Sequence, residues 1–539
     1  MVAAAVLLLA SGCGGGTPAP VDTGGVSSPP PPPPPVQHSG VTTYHNDNAR
    51  SGVNSLETTL TPANVNVVTF GKLASIPVEG DVYAQPLYLS NVTTVDGHSH
   101  NLIVIATEHD QVYAIDADTR TILWQRSFLD SQGLVTPVPS SDVNCPDLAP
   151  EIGITGTPVI DARSATLYLV ARTKETQSGE AAYYQRLHAL RLSDGSDALP
   201  ATVVSTPSGD FGAARFDPLV NNQRAALLLA KGEVYVAWAS HCDTGGFAGW
   251  LIAFNETTLR PTGAWTPAPS GTLGGIWMSS GGPAADAGGN IYLAVGNGVS
   301  DVMLGGENYG DSVVRLQSSG LTFSVDDYFI PFDFQWRLDD DIDLGSGATV
   351  FLPEQPGTTH PHLLIVASKD GMIFLLDRDN LGKWRMDDNN QVVQSFQNGS
   401  QLSFTTPAVW NNTVYFAFPY EPVQAYAFDP VAQQINTTPT STSGDLQFGY
   451  PGASPSVSSS GSGSGIVWVL QTDQFQNYGY AVLRAFDATN LGNELFDSDM
   501  SFDRDHAGGA VKFTVPTVIA GQVVIGAHDE VDIFGLLPQ

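Results

Sequence analysis

Residues 102–107 read Leu-Ile-Val-Ile-Ala-Thr, a short β-branched run with strand character. The phrase returns as Thr-Leu-Tyr-Leu-Val-Ala at 166–171, Glu-Val-Tyr-Val-Ala-Trp-Ala at 233–239 and Asn-Ile-Tyr-Leu-Ala-Val-Gly at 290–296. It continues as Leu-Leu-Ile-Val-Ala-Ser at 363–368, Thr-Val-Tyr-Phe-Ala-Phe-Pro at 413–419, Gly-Ile-Val-Trp-Val-Leu-Gln at 465–471 and Gln-Val-Val-Ile-Gly-Ala at 522–527. These eight copies lie 50 to 73 residues apart, the length of one four-stranded blade with its loops.

The neighbouring segments keep register with this repeat. A strand ending in Ala-x-Asp or its like follows, as in Ala114-Ile115-Asp116, Ala427-Phe428-Asp429 and Ala485-Phe486-Asp487. A lead-in with a proline precedes, as in Ala84-Gln85-Pro86-Leu87, Gly156-Thr157-Pro158-Val159 and Thr405-Thr406-Pro407-Ala408. The last unit stops after its third strand, Val531–Phe534, while a spare strand, Phe70–Val78, stands before the first unit. The spare strand can complete the last blade and close a ring without long open edges. The expected fold is therefore all-β: an eight-bladed β-propeller of four-stranded antiparallel blades, closed by an N-terminal strand. An array of β-sandwiches is the alternative architecture.

Composition agrees with many short strands joined by turns. Hydrophobic residues make up 42% of the 539, charged residues only 14%, and there are 55 glycines and 37 prolines. The formal net charge is −32, from 54 acidic and 22 basic residues. No basic patch offsets it, so nucleic acid and anionic lipid head groups are excluded as partners.

The first residues read as an address. Residues 2–10 form an apolar run too short to span a bilayer, and they lead into Ala10-Ser11-Gly12-Cys13. Small residues before a cysteine resemble the lipobox of bacterial lipoproteins, although a basic n-region is missing and the first basic residue is Arg50. Residues 1–13 are thus expected to be a lipoprotein signal peptide with Cys13 lipidated. Gly14 is compatible with outer-membrane sorting. Residues 14–43, with seven prolines at 29–35, are expected to be a tether, and 44–539 the propeller. The protein would be exported and held at a membrane only through the lipid. Cys145 and Cys242 remain, and their spacing is open between one disulfide and two buried thiols.

One phrase carries a family resemblance. Ala114-Ile115-Asp116-Ala117-Asp118-Thr119-Arg120 followed by Thr121-Ile122-Leu123-Trp124 resembles the tryptophan-docking repeat of the quinoprotein alcohol dehydrogenases and their PQQ-repeat relatives, with Arg120 where glycine is usual. Asn46-Asp47-Asn48-Ala49-Arg50 with Leu60–Val65 is similar to that family's opening segment. Gly274-Gly275-Ile276-Trp277 and Leu293–Gly298 are similar to its central blade, Asp339–Asp343 to its Trp-Asp-x-Asp stretch, and Lys369–Arg378 to a strand near the quinone.

The resemblance implies an oxidoreductase site with PQQ as cofactor and a Ca²⁺ or lanthanide ion beside it. It places Trp277 under the cofactor, Asn297 and Asp343 on the metal, Asp341 as catalytic base and Lys369 at the quinone oxygens. Glu180, nine residues before Ala189, corresponds to a metal-binding glutamate of the family. These residue types suit the chemistry: an indole face supports a flat conjugated ring, a hard cation takes oxygen ligands, and an ammonium stabilises a developing oxyanion. Each residue also has a plain structural reading. Trp277 can pack a blade, Asn297-Gly298 and Lys369-Asp370-Gly371 are turn sequences, and Asp339–Asp343 can be a solvated loop.

Departures are visible too. There is no adjacent Cys-Cys pair, and Asp340 stands where the family has a tryptophan. Without a Cys-x-x-Cys-His haem motif, an electron acceptor must be a separate molecule. His360-Pro361-His362 lies in a loop without a cysteine or glutamate cluster and reads as structural. The expected activity is oxidation of a small-molecule alcohol or sugar. The alternative is a non-catalytic propeller that binds a protein partner or polysaccharide, like the propeller lipoprotein of outer-membrane assembly.

Overall fold

All eight second strands predicted from the repeat are present, each in a sheet of its own. In the computed structural model of the chain, the described residues are 40–538 except 207, 208, 245 and 401. The expected signal peptide with Cys13, and the expected tether up to residue 39, lie outside them.

Blade 1 runs Leu87–Thr93, Ser99–Thr107, Gln111–Asp116 and Thr121–Ser127. The other blades repeat this meander, their second strands lying at Thr166–Gln177, Glu233–Ser240, Ile291–Ala294, Leu363–Ala367, Thr413–Ala417, Gly463–Gln471 and Gln522–Gly526. The predicted closure holds. Phe70–Asp81 pairs antiparallel with His528–Leu536 as the outermost strand of blade 8, joining the two ends of the ring.

Side-chain alternation explains why these runs are apolar at nearly every position. In the second strand of blade 1, Leu102, Val104 and Ala106 pack against blade 2, whereas Ile103 and Ile105 pack against blade 8. The same division gives eight clusters, each drawn from two successive blades, and the last couples blade 8 to blade 1. A strand flanked by blades on both sides has no wet face, so it lacks the polar alternation of a one-sided sheet. Trp124 of the docking phrase reaches across to blade 2, where its indole N–H donates to the Leu192 carbonyl at 2.9 Å.

Arg120 occupies the glycine position of that phrase with φ +60°. A side chain in this left-handed region carries a penalty of about 1 kcal/mol that glycine avoids. Arg120→Gly is therefore expected to raise the urea midpoint at unchanged slope by roughly that amount; a lower midpoint would show that the side chain, not the turn, matters there.

The propeller begins earlier than residue 44. Gly40–Val41 already pairs with Leu87–Thr93 of blade 1, so the last residues assigned to the tether belong to the ring. From there the chain runs as a thread past the inner strands of all eight blades. Ile160 of blade 2 donates to Thr42 and the Asn48 side-chain amide to Leu229 of blade 3. Ala285 of blade 4 donates to Asn48, Phe351 of blade 5 to Ala49, Val409 of blade 6 to Ser51 and Val457 of blade 7 to Gly52. The Asn54 side chain then donates to Val518 of blade 8. Such groups would otherwise leave buried inner-strand backbone without partners.

Candidate functional site

In an antiparallel meander, the start of the first strand and the end of the second lie at the same edge. The segments leading into each blade, and the turns after each second strand, therefore gather on one face of the ring. They enclose a cavity of about 580 Å³, within the range of small-molecule sites.

Trp277, Asn297, Asp341, Asp343 and Lys369 all line this cavity. Trp277 comes from the lead-in to blade 4, and Asn297 from the turn after that blade's second strand. Gly274 N–H donates to the Asn297 carbonyl and Gly296 N–H to the Gly275 carbonyl, each at 2.8 Å, locking the two segments together. A Cβ at position 296 would lie 2.5 Å from Asp343 Oδ1, so any side chain larger than glycine's would push that carboxylate from its place.

Asp341 and Asp343 stand on the segment between blades 4 and 5. Lys369 Nζ donates to Asp341 Oδ2 at 2.8 Å and to Asp343 Oδ2 at 3.1 Å. Asn297 engages the other oxygens: its side-chain amide donates to Asp341 Oδ1 at 2.9 Å and its backbone N–H to Asp343 Oδ1 at 2.8 Å. Burial lowers the proton affinity of Lys369, but the two carboxylates outweigh it and hold the amine above its ordinary value. Burial pushes the Asp343 carboxyl up against the pull of Lys369 and the Asn297 N–H. Asp341 is 61% exposed at its side chain and adopts φ +57°, a strained conformation of the kind that collects at functional sites.

Glu180 is not part of this group. The middle strands of blade 2 are twelve residues each, and their hairpin carries Glu180 to an exposed tip paired with Gln177. It does not line the cavity, which corrects its assignment as a metal ligand. His360 and His362 bind separate carboxylates, Asp377 and Asp379, as a structural role requires.

Other cavity residues were not singled out in the sequence. Arg224, Phe404, Tyr450, Lys512 and Phe513 all stand on lead-in segments, and Asp147 and Asp243 complete the wall. Cys145 and Cys242 are bonded to each other, and Cys242 also lines the cavity. Asp243 is pushed up to about 6 by partial desolvation and by the carboxylates of Asp343 and Asp341. Asp147 is held below its ordinary value: burial raises it, but the His241 imidazole, 3.0 Å away, and the charges of Arg224 and Lys512 prevail.

Arg224 and Lys512 are only 6% and 8% exposed. Arg224 lies over the Phe513 ring, 4.4 Å from its centroid, and 5.9 Å from the Trp277 ring. Its Nε and Nη2 are buried without a hydrogen-bond acceptor. Lys512 has no carboxylate at ion-pair distance among the described residues, and burial together with Arg224 lowers it to about 8. Two unpaired buried cations beside an indole face and three further aromatic rings fit a flat, polyanionic ring compound.

A metal ion fits less well. A hard cation such as Ca²⁺ takes six to eight oxygens at 2.3–2.6 Å. Here the four oxygens of Asp341 and Asp343 already accept from nitrogen donors, and Glu180 is elsewhere. Among the described residues, no three His, Cys, Asp or Glu side chains come close enough to hold a metal.

No protein-family model matches the chain. No curated protein matches it either. Solved structures do. Quinohemoprotein alcohol dehydrogenase from Comamonas testosteroni superposes with a TM-score of 0.61 at 14% identity, over 93% of this chain and 82% of that one. Quinohemoprotein alcohol dehydrogenase ADHIIG from Pseudomonas putida HK5 gives 0.58 at 12% identity, over 92% and 80%. The fold is shared with these enzymes. At such identities the likeness concerns the fold alone, and the function rests on the cavity. No helix among the described residues is long and apolar enough to cross a membrane.

Proposed function

We propose that this protein is an extracytoplasmic, quinoprotein-like propeller that holds a flat polyanionic quinone of the PQQ type in this cavity and uses it to oxidise an alcohol or sugar. The observation that carries the reading is the pair Arg224 and Lys512, buried and unpaired in a chain with 54 acidic and only 22 basic residues. An unpaired buried charge costs several kcal/mol, and an anionic ligand offsets that cost. A scaffold that binds a protein through its rim has no need of such charges in its mouth.

A bound quinone would supply a two-electron acceptor. The protein would supply the rest. Trp277 supports the ring plane, while Arg224 and Lys512 bind carboxylates at its edge. Asp341 is exposed and aimed by Asn297 and Lys369, so its carboxylate can accept the substrate hydroxyl proton. Phe404, whose ring centroid lies 6.2 Å from that of Trp277, would exclude water beside it together with Tyr450 and Phe513. Reducing equivalents leave to a separate acceptor, because the chain has no haem-attachment motif. Anchoring through Cys13 and a bonded Cys145–Cys242 pair both suit an oxidising compartment outside the cytoplasm.

Titrating PQQ into the purified protein is expected to quench tryptophan fluorescence with a dissociation constant at or below about 1 µM. Dye-linked oxidation of alcohols and aldoses should then appear. No binding at about 10 µM protein would overturn the cofactor reading. Binding without any oxidation would leave a ligand-binding propeller.

A further inference from the structure

The Lys369 ammonium lies where the two acidic side chains of the site meet. It bonds both Asp341 and Asp343, at 2.8 and 3.1 Å, and keeps 17% exposure. Its placement is built in from beneath. Arg337, fully buried, donates to the Ser368 hydroxyl at 2.6 Å, pairs with Asp370 at 3.2 Å and is itself held by Asp333. The Lys369 N–H donates to the Asp343 carbonyl at 2.9 Å and its carbonyl accepts from Ser403 N–H at 2.8 Å. The turn 368–371 is thus fixed on both sides, and its lysine has one direction to point.

We infer that Lys369 is a resident cation taking the place of a metal ion, so that the cavity binds its anionic ring ligand without any divalent or trivalent metal. The inference rests on reading the cavity as the site of such a ligand. Asp341 and Asp343 bring two carboxyl groups, and Asn297 turns two N–H donors, one from its side chain and one from its backbone, toward them. Lys369 neutralises one charge and occupies one oxygen of each carboxylate. A hard metal would have to displace that ammonium, then find at least two more oxygens even with both carboxylates bidentate. The ammonium serves the same electrostatic end, a positive charge held against the ligand at a fixed point.

The test uses the full-length protein dialysed against EDTA. PQQ affinity is expected to stay within twofold when Ca²⁺ or La³⁺ is added back. Terbium, followed by tryptophan-sensitised luminescence at 150 mM salt, is expected to find no site here in the wild type. Lys369→Ala should lose PQQ affinity at least tenfold and gain a terbium site that a further Asp343→Asn change removes. Lys369→Arg, which keeps the charge, should remain indifferent to metal and controls for misfolding of the alanine variant. A tenfold gain in wild-type PQQ affinity on adding metal would overturn the inference. So would a wild-type terbium signal that Asp343→Asn abolishes. If PQQ binds under neither condition, the cofactor reading falls, and the terbium comparison alone still decides whether Lys369 fills the cation site.

Discussion

Neutralising the two unpaired cations of the cavity, Arg224→Leu with Lys512→Met, is expected to abolish binding of a polyanionic quinone. Charge-assisted contacts to a carboxylate contribute roughly 1.5–3 kcal/mol each where water is excluded. Each single change should therefore weaken affinity about 10- to 100-fold, and the pair by roughly 1000-fold or more. The same substitutions carry an opposite expectation for the ligand-free protein. Both charges are buried with no carboxylate at ion-pair distance among the described residues, so replacing them with apolar side chains should leave stability unchanged or raise it. Loss of binding with a retained or higher urea midpoint marks a ligand site; loss of both marks a structural role. The pH dependence has a definite sign. Lys512, lowered to about 8, is charged below that value and neutral above it. Wild-type affinity should fall as pH rises beyond about 8, the drop beginning somewhat higher because a bound carboxylate draws the proton back. Lys512→Met should flatten this profile. A double variant that binds within threefold of wild type would sink the assignment.

The fold was legible because the repeat and its physical cause coincide. A strand such as Leu102–Thr107 sends alternate side chains to two blade interfaces, so its composition announces a stacked sheet with no wet face. The closing strand was equally readable, since Phe70–Val78 had no unit of its own and the last unit lacked a strand. Half the site was legible for a different reason: Trp277, Asn297, Asp341, Asp343 and Lys369 sit inside segments that resemble known ones. Arg224, Lys512, Phe404 and Tyr450 sit in irregular lead-ins, where no periodicity marks which side chain turns inward. A signal was nonetheless present. Arg224-Ala225, Phe404-Thr405, Tyr450-Pro451 and Lys512-Phe513 all fall within about a dozen residues before an inner strand. Glu180 failed because counting back from Ala189 assumes a short strand, whereas this hairpin extends beyond the cavity. The boundary at residue 44 failed because the pairing with blade 1 involves only the two residues Gly40–Val41, too short a run to show strand alternation in the sequence.

Removing the Arg50 guanidinium is expected to cost the ring about 4 kcal/mol, among the largest effects of a single change here. Arg50 is completely buried on the thread that passes the inner strands. Its donors reach the Pro283 carbonyl at 3.0 Å, the Thr43 hydroxyl at 2.7 Å, the Tyr44 carbonyl at 3.0 Å and the Leu227 carbonyl at 3.2 Å. Burial lowers its proton affinity to about 10, so it remains charged at neutral pH. One planar group thus ties the thread to blades 3 and 4. Arg50→Ala would leave these acceptors buried and unmet, and would open a void that the rigid inner strands cannot collapse into. Arg50→Lys should recover little, because a single ammonium cannot span the same fork of acceptors. The change should also reach the cavity. Leu227 stands three residues after Arg224, and Pro283 six after Trp277, so the same guanidinium braces both lead-ins that carry the proposed ligand contacts. A urea titration that finds less than about 1 kcal/mol lost would show the thread to be a passenger. A loss of several kcal/mol with weakened PQQ binding would show that the opening segment both closes the ring and holds the mouth in shape.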